Sequence, residues 1–192
     1  MEKPMDSMNI GVLLGSTREG RKGAAVAEWV LEAVAERPAR YALIDLADHP
    51  MPHLNEPIPP AAGRYTHDHT KAWASHTHGF DAFVIVTPEY NHQIPAVLKN
   101  ALDHVFAEWA HKPVGFVGYG VVGGARALDQ LRVLSGVLGM LDVQPQVELS
   151  VLTDFEGATV AREGRHVTAL AKVLDAVEGW APLARTYRES RG

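Results

Sequence analysis

Five short apolar runs alternate along the chain with segments of helical periodicity, and this alternation limits the fold more than any other feature. The runs are NIGVLLG (Asn9 to Gly15), YALIDLA (Tyr41 to Ala47), DAFVIVTP (Asp81 to Pro88), KPVGFVGYG (Lys112 to Gly120) and QVELSVL (Gln146 to Leu152). The first and third are apolar almost without a break, as strands covered on both faces must be. Between them, Ile94, Val97, Leu98, Ala101, Leu102 and Val105 form one wide helical stripe, with Pro95 suited to its first turn. Gly23 to Arg37, Gly124 to Leu141 and Val167 to Val177 carry the same spacing. A weaker helix, Tyr65 to His78, follows the proline-rich connector HPMPHLNEPIPP, His49 to Pro60. Strand and helix in this order predict a parallel sheet with helices on both faces, joined by right-handed crossovers.

A chain of 192 residues is one domain by default. The expected layout is a single unit over 1–192, with an N-terminal arm at 1–8 and a polar tail at 186–192 that frays within the closing RTYRESRG. A hydrophobic share of 46% against 21% charged is sufficient for a core. The net charge of −5 gives no global attraction to nucleic acid or to an anionic membrane, so any anion site must be built locally. The absence of cysteine removes disulfides, thiolate nucleophiles and cysteine metal cages together. No run approaches the roughly 18 apolar residues of a membrane span. The opening MEKPMDSM does not read as a signal peptide, and the expected location is cytoplasmic.

In a parallel sheet the loops leaving the C-terminal strand ends gather at one rim. Three such loops are chemically unusual. GSTREGRKG, Gly15 to Gly23, joins glycines to the hydroxyls of Ser16 and Thr17 and the charges of Arg18, Arg21 and Lys22 ahead of a helix start. These are the parts of a phosphate cradle, and equally of a basic surface turn. The loop is not a Walker A sequence, because Arg21 stands where lysine is needed, and it is not G-x-G-x-x-G. TPEYNHQIP offers the ring of Tyr90 and the amide of Asn91 between the stiffening Pro88 and Pro95, a set suited to a flat heterocycle. Glu89 is a candidate acid or base, or a structural carboxylate. GYGVVGG, Gly118 to Gly124, leaves backbone N–H groups unobstructed, as a tight turn also would.

Phosphate at the first loop and a heterocycle between the other two describe a mononucleotide lying across the rim. GSTREG after the first strand, TPEYN with Pro95 and LKNALDH behind it, and YG followed by GGARALDQLR resemble the NADPH-dependent FMN reductases, a group that includes quinone, azo-dye and chromate reductases. The resemblance runs from about Asn9 to Val151. It implies a flavodoxin-like three-layer sandwich, with a five-stranded parallel sheet of order 2-1-3-4-5. It also implies FMN as cofactor, NAD(P)H as electron donor, a small-molecule acceptor such as a flavin, quinone or azo compound, and a homodimer or homotetramer whose contact surfaces are the third and fourth helices.

By the same resemblance, Gly15, Ser16, Thr17, Arg18, Arg21 and Gly23 belong to the phosphate loop. Pro88, Glu89, Tyr90 and Asn91 line the isoalloxazine, and Tyr119, Gly120, Gly123 and Gly124 its pyrimidine edge. No amino-acid side chain is expected to be catalytic, because the flavin carries the chemistry. Many relatives place a serine where this chain has Arg21, Lys22 and Gly23.

Other features lead elsewhere. His67, His69, His76 and His78 crowd one weak helix, but no carboxylate or cysteine completes a metal-ligand spacing, and no metal is expected. Ser16 sits in G-S-T-R rather than in a hydrolase elbow. Trp29, Trp73, Trp109 and Trp180 are expected to pack, Trp109 having a partner subunit as its alternative. The competing function is a flavodoxin-type electron carrier. Such carriers tend to be strongly acidic with a hydroxyl-rich phosphate loop, so Arg18 and a charge of only −5 favour the reductase.

Overall fold

The computed structural model describes residues 7–191. In chain order it contains β1 (Asn9–Leu14), α1 (Gly23–Ala33), β2 (Arg40–Asp45), α2 (Asp68–His78), β3 (Ala82–Pro88), α3 (Ala96–Asp103), β4 (Pro113–Gly120), α4 (Ala125–Val137), β5 (Leu141–Ser150), β6 (Phe155–Glu156), β7 (Thr159–Val160) and α5 (Arg165–Glu189). The five long strands form one parallel sheet in the order β2-β1-β3-β4-β5, while β6 and β7 make a small antiparallel hairpin. The expected fold and strand order are therefore observed. Residues 1–6 of the expected arm and Gly192 at the chain end lie outside the described residues.

The period-two alternation of the strands divides the core into two layers. Ile10, Val12 and Leu14 of β1 and Val84 and Val86 of β3 pack with Val26 and Val30 of α1 and Leu170, Val173 and Leu174 of α5. Leu13, Phe83, Ile85 and Phe116 point the other way, to Trp73 of α2, Leu98 and Leu102 of α3 and Leu128 and Leu131 of α4. Every residue of β3 is buried, which is why its sequence shows no polar alternation. Each fully buried aliphatic side chain contributes roughly 1.5–3 kcal/mol to holding these layers together.

Several boundaries depart from the sequence periodicity for identifiable reasons. Pro95 caps α3 and the helix stops at Asp103, so Ile94 and Val105 lie outside it although both contribute to the core. Trp109 is then fully buried with its indole N–H donating to the Leu102 carbonyl at 3.0 Å, an internal packing role and not a subunit contact. Strand β5 begins five residues before the expected Gln146, since a register shift opposite Val114 and Phe116 and its place at the sheet edge accommodate Pro145. The closing segment is helical through Glu189. Arg185 and Arg188 bind Asp81 at the base of β3, tying down residues that were expected to fray. Trp180, expected to pack, is 55% exposed.

The connector is fixed by a side chain of the LKNALDH motif. Asn100 accepts from the Leu54 N–H at 2.9 Å and donates to the Pro52 carbonyl at 2.8 Å, pinning the proline-rich segment to α3.

Candidate active site

The sheet order makes the C-terminal ends of β2, β1, β3 and β4 neighbours. Register places Leu14 beside both Asp45 and Val86, and Pro88 beside Tyr119. The loops after β1, β3 and β4 thereby meet at one rim, together with the end of β2.

The first loop leaves β1 through Gly15, whose N–H donates to the Val86 carbonyl at 2.8 Å. Ser16 is fully buried, with its hydroxyl 3.2 Å from the Tyr119 hydroxyl. Burial pushes the Tyr119 phenol up to about 12 against the opposing pull of its bond to Ser16, so the ring stays neutral. Gly23 opens α1 next to this pair. A Cβ there would stand 2.5 Å from the Tyr119 oxygen and 2.9 Å from the Ser16 oxygen, so the position requires glycine for space alone. No side chain caps α1, which leaves the N–H groups of its first turn facing the loop.

The three cations of this loop have different environments. The Arg21 guanidinium is turned inward, donating to the Ser16 carbonyl and to the Asp45 carboxylate. Lys22 donates to the Gly157 carbonyl at 3.3 Å and lies 4.7 Å above the Phe155 ring of the β6–β7 hairpin. Arg18 is exposed, as is Thr17, and among the described residues none forms a hydrogen bond or ion pair with the Arg18 side chain. The sequence puts both Arg18 and Arg21 in the phosphate loop, Arg21 standing where many relatives carry serine. The structure separates them.

The second loop is a two-residue hairpin. Tyr90 and Gln93 exchange backbone hydrogen bonds of 2.9 Å, and the two residues between them, Asn91 and His92, have φ of 50° and 68°. Two successive positive φ angles are the mark of a type I′ turn, and asparagine tolerates that region well. The turn projects the exposed Asn91 beyond the half-buried Tyr90. The Glu89 side chain is directed at the start of α4. Its carboxylate accepts from the Arg126 backbone N–H at 3.1 Å and from the Arg126 guanidinium at 3.0 Å, capping the start of α4. A negative charge at a helix N-terminus is stabilising, which gives the structural reading of Glu89 its physical basis.

In the third loop Gly123 and Gly124 are buried at φ of 78° and 79°. A Cβ on Gly123 would meet Glu148 at 2.8 Å and one on Gly124 the Tyr119 nitrogen at 2.8 Å. Their role in this geometry is to build the turn, and the side chains presented to solvent are those of Val121 and Val122. Gly120 lies at the head of the turn, where its carbonyl accepts from both Gly123 and Val151.

Asp45 and Arg126 were missed by sequence reasoning. The strand order already carried the signal for Asp45, because β2 borders β1 and its last residue must flank the first loop. Among the described residues no group of three histidine, cysteine or acidic side chains is placed to hold a metal. His69 faces His67 and His104, whereas His76 stacks on Trp73 and lies tilted against His49, so the helical histidines do not converge.

The family model for NADPH-dependent FMN reductase matches residues 8–154. The chain belongs to that family. Its members are oxidoreductases that use FMN and NAD(P)H, so this chain is a flavoenzyme and the electron-carrier alternative is set aside. An NAD(P)H-dependent FMN reductase of Schizosaccharomyces pombe is 45% identical over 132 residues, covering 67% of this chain and 66% of that protein. A quinone reductase of Escherichia coli K12 is 32% identical over 137 residues, covering 66% and 69%. The solved structure of FerB, a flavoenzyme NAD(P)H:(acceptor) oxidoreductase of Paracoccus denitrificans, shares the fold with a TM-score of 0.72 at 21% identity, over 92% of this chain and 98% of that one.

Glu89→Gln tests the assignment of Glu89 as a cap. Glutamine keeps an acceptor for the Arg126 N–H and loses the ion pair, so a stability loss of about 1 kcal/mol is expected, with reduction of FMN by NADPH nearly unchanged. Thermal melts and stopped-flow reduction measure the two. A fall in reduction rate of several orders of magnitude with FMN still bound would make Glu89 a catalytic group.

Proposed function

We propose that the protein holds FMN across this rim and passes two electrons from NAD(P)H to a quinone, a free flavin, an azo compound or a similar small acceptor. The observation that carries the proposal is the uncommitted Arg18 beside the uncapped start of α1, in a loop whose other two cations are engaged. A phosphate dianion is the ligand that such a charge and a set of free N–H groups complement. Arg18, Thr17 and the backbone N–H groups of Gly20, Lys22 and Gly23 would hold that phosphate, the Arg21 N–H being bonded to the Arg18 carbonyl. Tyr90 and Asn91 would border the ring system on the β3 side, and Gly120 with Val121 on the β4 side. When bound, FMN supplies the redox chemistry. The protein's part is to position it, to keep Tyr119 neutral beneath the loop, and to leave one ring face accessible.

The experiment is anaerobic addition of NADPH or NADH to the protein loaded with FMN. Either nucleotide should bleach the flavin in one phase, and a quinone should restore the colour. Failure of both nucleotides to bleach bound FMN would remove the proposal.

The exposed apolar surface of α4 suits a second copy of the chain. Val133 is 72% and Val137 68% exposed, and they flank a groove shared with Ile94 and Ala96 of the α3 segment. A homodimer through this face, or a homotetramer containing it, belongs to the same reading. Val133→Glu should lower the mass seen by light scattering, from dimer to monomer or from tetramer to dimer, while an unchanged mass would place the contact elsewhere. Among the described residues no helix is long and apolar enough to cross a membrane. The cytoplasm, where NAD(P)H and FMN are both at hand, is the location this function calls for.

A further inference from the structure

We infer that Arg21 and Asp45 are positioning residues that clamp the phosphate loop, and that neither touches the phosphate. The inference rests on the FMN reading above and assigns to Arg21 a different role from the one its place in GSTREGRKG implies.

The clamp is built from both sides of Ser16. The Arg21 guanidinium reaches back across its own loop to the Ser16 carbonyl, and its other terminal nitrogen donates to Asp45 Oδ2. Arg21 and Asp45 side chains are each only 15% exposed, so water competes weakly for these contacts. Asp45 is itself fixed: its other oxygen accepts from the Ala47 N–H at 2.9 Å, capping the short 3-10 turn Leu46–Asp48, and its backbone pairs with Leu14 at the end of β1. On the opposite side the Ser16 hydroxyl meets Tyr119, the neighbour of Pro88 in the ladder. A second backbone bond, from Arg21 N–H to the Arg18 carbonyl at 3.2 Å, closes the turn that carries Arg18 outward. The loop is thereby tied to β2 through Arg21 and to β4 through Ser16, and Arg18 stands on the part that projects.

This division of labour has a chemical reason. A guanidinium can donate in two directions from a rigid planar fork, which is what bridging a carbonyl and a carboxylate requires. With its charge matched by Asp45, Arg21 adds little net attraction for a dianion. Preorganisation of the loop is then its contribution to affinity.

The sign of one substitution separates the clamp from simple electrostatics. Removing the charge of Asp45 near a dianion should tighten FMN binding if only through-space attraction mattered. The clamp predicts the opposite, because Asp45→Asn leaves one amide oxygen for the two donors, Arg21 and Ala47, that the carboxylate oxygens serve separately, and so weakens the hold on the Arg21 fork. FMN affinity should fall about tenfold, the equivalent of one charge-assisted hydrogen bond, and riboflavin affinity much less. Arg21→Lys keeps the charge but offers its donors from one nitrogen in place of the two ends of a planar fork, and should lose about as much. Tyr119 and Arg18 are left intact in both variants, and thermal melts confirm folding.

Amide hydrogen exchange on the protein without FMN gives a readout that does not depend on the cofactor. In Asp45→Asn the Arg21 amide, bonded to the Arg18 carbonyl, should exchange faster while β1 is unaffected. Tighter FMN binding in Asp45→Asn, full retention of affinity in Arg21→Lys, or unchanged exchange at the Arg21 amide would overturn the clamp. A wild-type protein that binds riboflavin as tightly as FMN would instead overturn the phosphate site itself, and the clamp's role in it.

Discussion

Asp81→Ala should produce the largest loss of stability of any single change outside the apolar core. Asp81 stands just before β3 at the end of the sheet opposite the rim, and its two oxygens tie down two other elements, β1 and α5. It accepts from the Asn9 backbone N–H at 2.9 Å, from Arg185 Nε at 2.8 Å and Nη2, and from Arg188 Nη2 at 3.1 Å. Its side chain is 11% exposed, and those of Arg185 and Arg188 are 23% and 21% exposed. Truncation removes the anion that two half-buried guanidiniums share and orphans the first amide of β1. A loss of about 3 kcal/mol is expected, at the lower end of the range for removing one partner of a buried pair, since these cations retain some water.

The same site gives a pH dependence with a definite sign. Burial works to raise the Asp81 carboxyl, but the bonds from Arg185 and Asn9 and the charges of both arginines outweigh it and hold the group below its usual 3.8. A depressed folded value means that the contribution is complete above 3.8 and is lost as pH falls through the lower folded value. Denaturant melts of the wild type should therefore weaken in that acid range more steeply than those of Asp81→Ala. Parallel curves for the two proteins would show that the latch contributes nothing. Thermolysin cleavage within residues 183–191 of the variant would localise the effect to the end of α5.

The latch also shows why part of the fold was hidden in the sequence. RTYRESRG is a polar run at a chain end, and nothing local distinguishes a frayed tail from a helix held by a carboxylate 104 residues away. The β6–β7 hairpin was hidden for a related reason. Two residues per strand carry no periodicity, and the pairing depends on Gly157 at φ 64° and on Lys22 from another element. The central strands were legible because burial on both faces forces continuous apolar runs at β1 and β3, and because alternation with helices leaves few topologies.

The site was legible as a location more than as a set of contacts. Tyr90, Asn91 and Arg18 lie on the rim where loop chemistry placed them, and the break of β3 into PEYN is explained by a type I′ hairpin with Glu89 turned aside to cap α4. What sequence could not give was the partition of charges. Three cations within five residues look equivalent until the register brings Asp45 beside one and the hairpin carbonyl of Gly157 beside another.

That partition makes Arg18→Ala the most informative functional change. With Arg21 neutralised by Asp45 and Lys22 directed at the β6–β7 hairpin, Arg18 is the uncommitted cation of the first loop. Its removal should cost FMN about 1.5–3 kcal/mol, the value of a charge-assisted hydrogen bond. Affinity would then fall roughly 10- to 150-fold. Riboflavin has no phosphate, so its affinity should barely move, and the preference of the protein for FMN should collapse by nearly the whole factor. The dependence of FMN affinity on salt should weaken as well, because the screened interaction is the one removed. Arg18 makes no contact that the fold needs, so its melting temperature should match the wild type, and fluorescence quenching titrations with the two flavins provide the measurement. Equal losses for FMN and riboflavin would place Arg18 away from the phosphate and return the role to backbone N–H groups at the start of α1.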